Sequence, residues 1–251
     1  WLKRWYLRLV TRVGLKRAQQ VVAVSQYTRD QILRYHGSHF ENKLRVIYEG
    51  WEHLLFFANE TCGYPKDIPF SKYILYVGSS RGHKNWGRLI QAIQRASHQL
   101  PPDWGFVFIG STKMLSKKHL QLVQQLNRQR PIIQITGWQE DCSLASYYRH
   151  AQALIFPSLS EGFGIPILEA YFYRIPLLLS NQASLPEIAG DAAIYFDPYN
   201  VQDISDSILH FTKQSDHTSL IERQTQRLAR YSWKTTSQQL TKLLQSFCKP
   251  L

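Results

Sequence analysis

From residue 71 onward, short apolar runs alternate with stretches of helical period. The runs "YILYVG" (73–78), "GFVFIG" (105–110), "IIQITG" (132–137), "ALIFPS" (153–158), "IPLLLS" (175–180) and "AAIYFDP" (192–198) are six or seven residues of mostly apolar character. Runs of that length without polar alternation predict strands buried on both faces. Residues 85–97, 116–129, 143–151, 165–173 and 200–213 predict helices, and "SLPEIAG" predicts a short helical turn. Strand and helix in alternation make βαβ units, hence an α/β fold: a parallel sheet with helices on both faces.

The flanks differ. Residues 1–20 place Leu2, Trp5, Tyr6, Leu9, Val10 and Val13 at helical spacing, with Lys3, Arg4, Arg8, Arg12, Lys16 and Arg17 filling much of the rest. This predicts a basic helix, either lying on a membrane surface or packed against protein, and packing is the commoner fate of an amphipathic helix. "VVAVS" (21–25) predicts a strand, Ser25 an N-cap, and the helix that follows ends at Gly37. "LRVIYEG" (44–50) predicts another strand. Residues 51–70 have prolines, a glycine and no period, and read as a linker. Residues 218–248 predict two helices. The expected domains are 1–50, the end of a first α/β unit; 51–70, a linker; 71–228, a complete α/β domain; and 229–251, a closing helix. The chain opens on Trp1 rather than Met, so a fragment of a longer protein is the expectation.

Composition is that of a globular chain: 44% of the 251 residues are hydrophobic and 19% charged. No apolar run approaches the ~18 residues of a membrane span, and no signal peptide is visible. A net charge of +12 fits nucleic acid, an anionic membrane surface or a phosphorylated small molecule. Cys62, Cys142 and Cys248 lack metal or framework spacing and read as thiols of a reducing compartment. The nine histidines form no HxH or HExxH pair, so no metal site is expected.

In an open parallel sheet the ligand crevice lies outside the carboxyl ends of the strands. "SEGFGIPILEA" (160–170) follows a strand there and opens a helix. Gly162 and Gly164 let backbone amides approach a ligand, and the helix start turns its N–H groups the same way, an arrangement suited to phosphate. Glu161 and Glu169 repel phosphate but accept hydrogen bonds from hydroxyls. A ligand with a diphosphate in the middle and hydroxyls at both ends satisfies all of them: a nucleotide sugar. "VGSSRGHKN" (77–85) is a second such turn, where Gly78 ends a strand and Arg81, His83 and Lys84 supply cations for a leaving diphosphate. No aromatic-interleaved basic motif points to nucleic acid.

These motifs, "YILYVGSSRGHKNWGRLIQAI" and "ITGWQEDCSLASYYRHAQALIFPSLSEGFGIPILEAYFYRIPLLLSNQASLPEIAGDAAIYFDP", resemble those of the retaining nucleotide-sugar glycosyltransferases of family 4. Glu161 and Glu169 match that family's E-x7-E signature. The resemblance implies the GT-B fold of two Rossmann-like domains, here with most of the N-terminal, acceptor-binding one outside the chain. It implies that Glu161 contacts the transferred sugar and that Phe163, Gly164 and Ile165 offer amides to sugar and phosphate. Glu169 then holds the ribose, Lys84 the diphosphate, and the backbone at Trp138 and Gln139 the base. It also implies metal-independent transfer with retention, by front-face attack.

Two positions depart from the pattern: Ser79 stands where the family usually has arginine, and His83 where another basic residue is common. Arg81 is the candidate replacement cation. The expected donor is GDP-linked, weakly mannose, or UDP-linked; the expected acceptor is a glycan or lipid-linked glycan. Peripheral contact with the inner face of the membrane, from a cytoplasmic location, follows from such acceptors and from the basic first helix. The alternatives are a nucleotide-sugar-binding module without catalysis, one chain of a split enzyme paired with a separate N-terminal domain, and a nucleotide-sugar 2-epimerase of the same fold.

Overall fold

The computed structural model describes residues 2–58, 63, 65, 68–113 and 115–247. Its main body is a six-stranded sheet of β3 (Lys72–Val77), β4 (Trp104–Ile109), β5 (Ile133–Gly137), β6 (Ala153–Phe156), β7 (Leu177–Ser180) and β8 (Ile194–Phe196). All neighbours are parallel, in the order β5-β4-β3-β6-β7-β8. The central strands are apolar throughout because both faces are covered. On one face lie α4 (Trp86–Ala96), α5 (Lys117–Gln129) and α9 (Val201–Lys213), which bury Trp86, Ile90, Val123 and Ile208 against Tyr76, Phe106 and Ile155. On the other lie α6 (Asp141–His150), α7 (Ile165–Phe172), α8 (Leu185–Ala189) and α10 (Thr218–Leu228), which bury Tyr148, Leu168 and Leu185 against Leu75, Leu154 and Leu177. Each fully buried side chain of this size contributes roughly 1.5–3 kcal/mol, so the two cores clamp the sheet from both faces.

A smaller unit precedes it: α1 (Leu2–Arg17), β1 (Val21–Ala23), α2 (Gln26–His36) and β2 (Leu44–Val46), the two strands paired in parallel. It is fastened to the main body by polar contacts. Ser25 caps α2 by accepting from Thr28 N and donates its hydroxyl to the Gly162 carbonyl at 2.6 Å. The Glu187 carboxylate of α8 accepts from Gln26 N at 2.7 Å, Tyr27 N at 2.9 Å and the Tyr48 hydroxyl at 2.9 Å. A carboxylate at a helix start meets unsatisfied amides and the positive end of the dipole together. Burial and this carboxylate push the Tyr48 hydroxyl up to about 12.

The last helix, α11 (Trp233–Gln245), returns to this unit: Thr236 Oγ1 donates to the Tyr48 carbonyl at 2.6 Å, and Trp233 N to Glu52 at 2.7 Å. The crossing is close enough to need glycine, since a Cβ on Gly50 would sit 2.0 Å from Trp233 N.

Three expectations change. The strand expected over 44–50 stops at Val46: Ile47 N still donates to Ala23 O, after which the chain turns under α11. Part of the expected linker is ordered as a 3-10 turn, Glu52–Leu54, and a single helical turn, α3 (Leu55–Ala58), pinned by Glu52 to residues 180 positions away. Cys142, read as a thiol, is disulfide-bonded; Cys62 and Cys248 lie outside the described residues. Apolar side chains are exposed toward both ends of the chain: Trp5, Tyr6, Leu9 and Val13 of α1, with Leu244 and Phe247, are 42–64% exposed. No described helix is long and apolar enough to cross a membrane.

The tie through Glu187 is testable. Glu187→Ala removes two helix-capping acceptors at once and should cost about 1–3 kcal/mol in urea denaturation. Amide exchange should accelerate across residues 21–47 while β3 to β7 keep their protection. Loss spread evenly over the sheet would show that the carboxylate does not act as the local fastening.

Candidate active site at the strand-order reversal

The chain lays down β3, β4 and β5 in one direction and then returns to add β6 on the far side of β3. The connections leaving β3 and β6 therefore diverge to opposite faces, and a crevice opens between their carboxyl ends. Both turns picked out in the sequence lie there. The first runs from Gly78 to Asn85 and contains a 3-10 turn, Gly82–Lys84. The second runs from Pro157 to Gly164. They are laced together: Leu159 N donates to His83 O at 2.7 Å, and Asn85 Nδ2 to Pro157 O at 3.1 Å and Pro198 O at 2.8 Å. Asn85 is buried with φ +62°, a left-handed position that asparagine tolerates better than most residues.

The second turn has its carbonyls occupied. Ser184 Oγ donates to Glu161 O at 3.1 Å and Phe163 O at 3.0 Å, while Ser25 and Thr28 hydroxyls donate to Gly162 O at 2.6 and 3.0 Å. With the oxygens bound within the protein, the amides from Gly162 to Ile165 make no hydrogen bond among the described residues and form a lip of free donors at the start of α7. Gly164 makes the final bend at φ +109°, where a Cβ would come within 3.0 Å of Leu185. Phe163 is 3% exposed and packs on Tyr48 and Tyr231, so only its backbone is offered to a ligand.

Lys84 and Glu161 meet across the crevice at 2.7 Å, both side chains under a fifth exposed, with the ammonium also 4.9 Å from the centre of the Phe156 ring. The structure thus brings together one cation, one carboxylate and the amide lip. Arg81 and His83 have exposed side chains at the rim. Ser79 lies between, its carbonyl 3.5 Å from the Tyr76 hydroxyl.

Glu169 is in the second turn of α7 and opens onto a different space from Glu161. Its Oε2 accepts from the Tyr148 hydroxyl at 2.5 Å, in a cavity of about 90 Å³ bounded by Asp141, Leu144 and Tyr173, with His53 and Leu54 across it. Burial raises its pKa, and the nearby Asp141 carboxylate adds to that; the Tyr148 hydroxyl and the Lys84 charge pull it down. Trp138 is 77% exposed beyond the end of β5, and Gln139 is held by Thr136 O and the Ser143 hydroxyl.

Several participants were missed from the sequence: Asn85, Ser184, Tyr148 and the Ser25–Thr28 pair, all acting through contacts to distant residues. Ser158 belongs with them. It is wholly buried at the crevice, and its hydroxyl has no hydrogen-bond partner among the described residues. The one local signal was composition, since small hydroxyl residues beside glycine turns are where such ties form.

Residues 67–228 match the model of the family described as "Glycosyl transferases group 1". O-antigen chain mannosyltransferase B of Escherichia coli is 34% identical over 142 residues, 57% of this chain and 37% of its own length. Serotype-specific mannosyltransferase WbdA of the same species is 27% identical over 242 residues, 92% of this chain and 30% of its own. O-antigen chain mannosyltransferase RfbU of Salmonella typhimurium is 25% identical over 240 residues, 94% of this chain and 62% of its own. The chain spans only about a third of the first two relatives. Among solved structures, Anabaena Alr3699/HepE in complex with UDP and glucose superposes with a TM-score of 0.77 at 19% identity, over 96% of this chain and 67% of that one. At that identity the likeness shows the fold.

The surroundings of Glu169 yield a pH test. An acid whose folded pKa lies above its ordinary 4.5 favours the fold when protonated, and that advantage is lost as pH rises through the folded value. Wild type should therefore lose stability relative to Glu169→Gln as pH rises from about 4 to about 8, read by scanning calorimetry. A gap that stays constant, or widens toward acid, would contradict the assignment of burial as the dominant cause.

Proposed function

The chain belongs to the glycosyl transferases group 1 family, and from that premise we propose that it is the donor-binding part of a retaining hexosyltransferase of the family 4 type. The observation that carries this reading is the crevice itself: an amide lip from Gly162 to Ile165, Lys84 beside it, and carboxylates Glu161 and Glu169 to either side. Phosphates meet amides and ammonium; sugar hydroxyls meet carboxylates. The chain's charge of +12 is then relevant only locally, through Lys84 and the rim residues Arg81 and His83.

The donor we favour is GDP-mannose, with a UDP-sugar as the other choice; the mannose, though not the nucleotide, is in keeping with the names of the bacterial relatives. Diphosphate lies on the lip and Lys84. Glu161, freed from Lys84, takes hydroxyls of the hexose, and Glu169 takes the ribose once His53 and Leu54 move off its cavity. The backbone at Trp138 and Gln139 lies where the base would end. The acceptor hydroxyl attacks the anomeric carbon on the face the diphosphate leaves. The carbon–oxygen bond to phosphate breaks as the new glycosidic bond forms, and the acceptor proton passes to the departing phosphate oxygen. Lys84 and the amides stabilise the charge that develops there, so the scheme needs no metal ion. Turnover in this chain alone should be low, because rate depends on holding both substrates in register.

Calorimetric titration with GDP, UDP, ADP and their sugars tests the reading. One nucleotide should bind, and Glu169→Ala should weaken it about tenfold or more, the loss of a hydrogen bond to a charged group. Absence of binding by wild type at millimolar ligand, or equal binding by the variant, would defeat the donor assignment.

A further inference from the structure

We propose that the recess between the starts of α4 and α5 is a second ligand site, built for a phosphate group, free or carried on a small molecule. It is separate from the proposed donor crevice, which opens between the turns leaving β3 and β6. The recess lies on the other side of the Gly78–Asn85 turn, against the turn leaving β4. Ser80 N holds those two turns together by donating to Ser111 O at 2.9 Å. The volume is about 410 Å³, within the ~300–1,000 Å³ typical of small-molecule sites. Neither Lys84, Glu161 nor any residue from Gly162 to Ile165 lines it.

Charge selects the ligand class. Arg81, Arg88 and His119 line the recess, and no carboxylate does. From residue 68 to residue 139 the chain has ten lysines and arginines and a single acid, Asp103. That acid precedes β4, at the far end of the strand, and pairs with Lys72 at 3.1 Å. Among the described residues neither Arg81 nor Arg88 has an ion-pair partner. Arg88 is oriented without being neutralised: Nη1 donates to Asn85 Oδ1 at 3.2 Å, and the guanidinium lies 5.6 Å from the centre of the Tyr199 ring. Its other N–H donors remain for a ligand, in the planar fork that matches a phosphate.

Neutral donors complete the wall. Ser116 Oγ accepts from His119 N and lies 2.8 Å from His119 Nδ1, to which it donates; Nε2 then carries the ring proton. The imidazole lies against α4, where a Cβ on Gly87 would come within 2.7 Å of it, so glycine is what lets ring and helix start adjoin. α4 has no side-chain cap, because Asn85 Oδ1 takes Arg88 instead. The amides of Trp86, Gly87 and Arg88 have no acceptor among the described residues. An anion there meets free N–H groups and the positive end of the helix dipole together. Trp86 is 1% exposed in the recess wall, and its indole N–H also lacks a hydrogen-bond partner among the described residues. A buried donor left unpaired is costly. Gln91, one turn past Gly87, adds an amide and Leu115 an apolar surface, a mixture that fits a short polyol or one sugar ring as the carrier.

The test follows backbone amide shifts during titration with inorganic phosphate, glycerol 3-phosphate and glucose 1-phosphate in about 0.15 M NaCl, where loose surface pairing is screened. At least one probe should bind with a Kd of about 1 mM or tighter, with shifts concentrated in residues 80–91 and at Ser116 and His119. Arg88→Gln and His119→Gln should each weaken it about tenfold, the loss of a hydrogen bond to a charged group. Both should keep the amide spectrum of the folded chain and change GDP affinity by less than about twofold. Tightest binding by inorganic phosphate would identify the free anion as the occupant, and tightest binding by an ester the ester; either upholds the site. No shift with any probe at ~10 mM, or variants that bind as wild type, would overturn it. Shifts confined to Gly162–Ile165 would put the phosphate on the donor lip and equally defeat the second site.

Discussion

The order β5-β4-β3-β6-β7-β8 imposes the constraint on which everything else depends. Parallel strands point the same way, so their outgoing turns gather at one edge, and the single reversal between β3 and β6 parts those turns to opposite faces. The opening needs no functional residue to make it. It does impose a difficulty: two irregular turns lie side by side at the end of a buried sheet, where polar backbone without partners is costly. The chain meets it with small polar side chains. Asn85 ties one turn to the other, and Ser25, Thr28 and Ser184 take up the carbonyls of the second. Satisfying the oxygens is also what leaves the amides free, so stability of the turn and its fitness for phosphate have one cause.

Electrostatics follows from that geometry more than from net charge. The excess of basic residues is spread over the surface, and much of it is on α1. Inside the crevice the balance is even: Lys84 faces Glu161 at 2.7 Å with little solvent around either. Such a pair gains little net stability because desolvation offsets attraction. Its use is different. On the proposed donor reading, each partner holds the other in place until a ligand supplies phosphate for the cation and hydroxyls for the carboxylate. Glu169 has no such cation in contact and is kept by the Tyr148 hydroxyl, which is why burial dominates its titration.

The periodic signal carried most of the fold. Strands β3 to β8 and the helices between them come from apolar runs whose length and flanking glycines leave little choice, and Ser25, Ser116 and Asn200 cap the helices they precede. What escaped was decided at long range. The end of β2, the turn at Glu52–Leu54 and the crossing of α11 over Gly50 depend on partners 180 residues away. The disulfide at Cys142 gave no spacing to read. At the site, Glu161, Lys84 and the glycines were legible because their chemistry is unusual for a turn. Glu187 was not, since a glutamate in a short helix looks like solvated surface until α2 is seen to begin on it.

That last residue changes how the two units relate. A helix start held by a carboxylate from the neighbouring unit cannot shift without exposing two amides and an ion together, and the Gly162 carbonyl would lose both of its hydroxyl donors in the same movement. The smaller unit is therefore not free to rock on this contact. Under the proposed donor reading, motion that admits a nucleotide must come from elsewhere, and the segment across the Glu169 cavity is the element in the way: His53 and Leu54 bound a space of about 90 Å³, too small for a nucleoside. Glu52, beside them, is anchored to α11. Moving His53 and Leu54 off the Glu169 cavity would thus also loosen the α11 crossing, since Glu52 joins the two, while the α2 side of Glu161 is held separately. The α2 side of the crevice is thus held by four hydrogen bonds to the main body, while the Glu169 side is covered by a segment that Glu52 ties to α11.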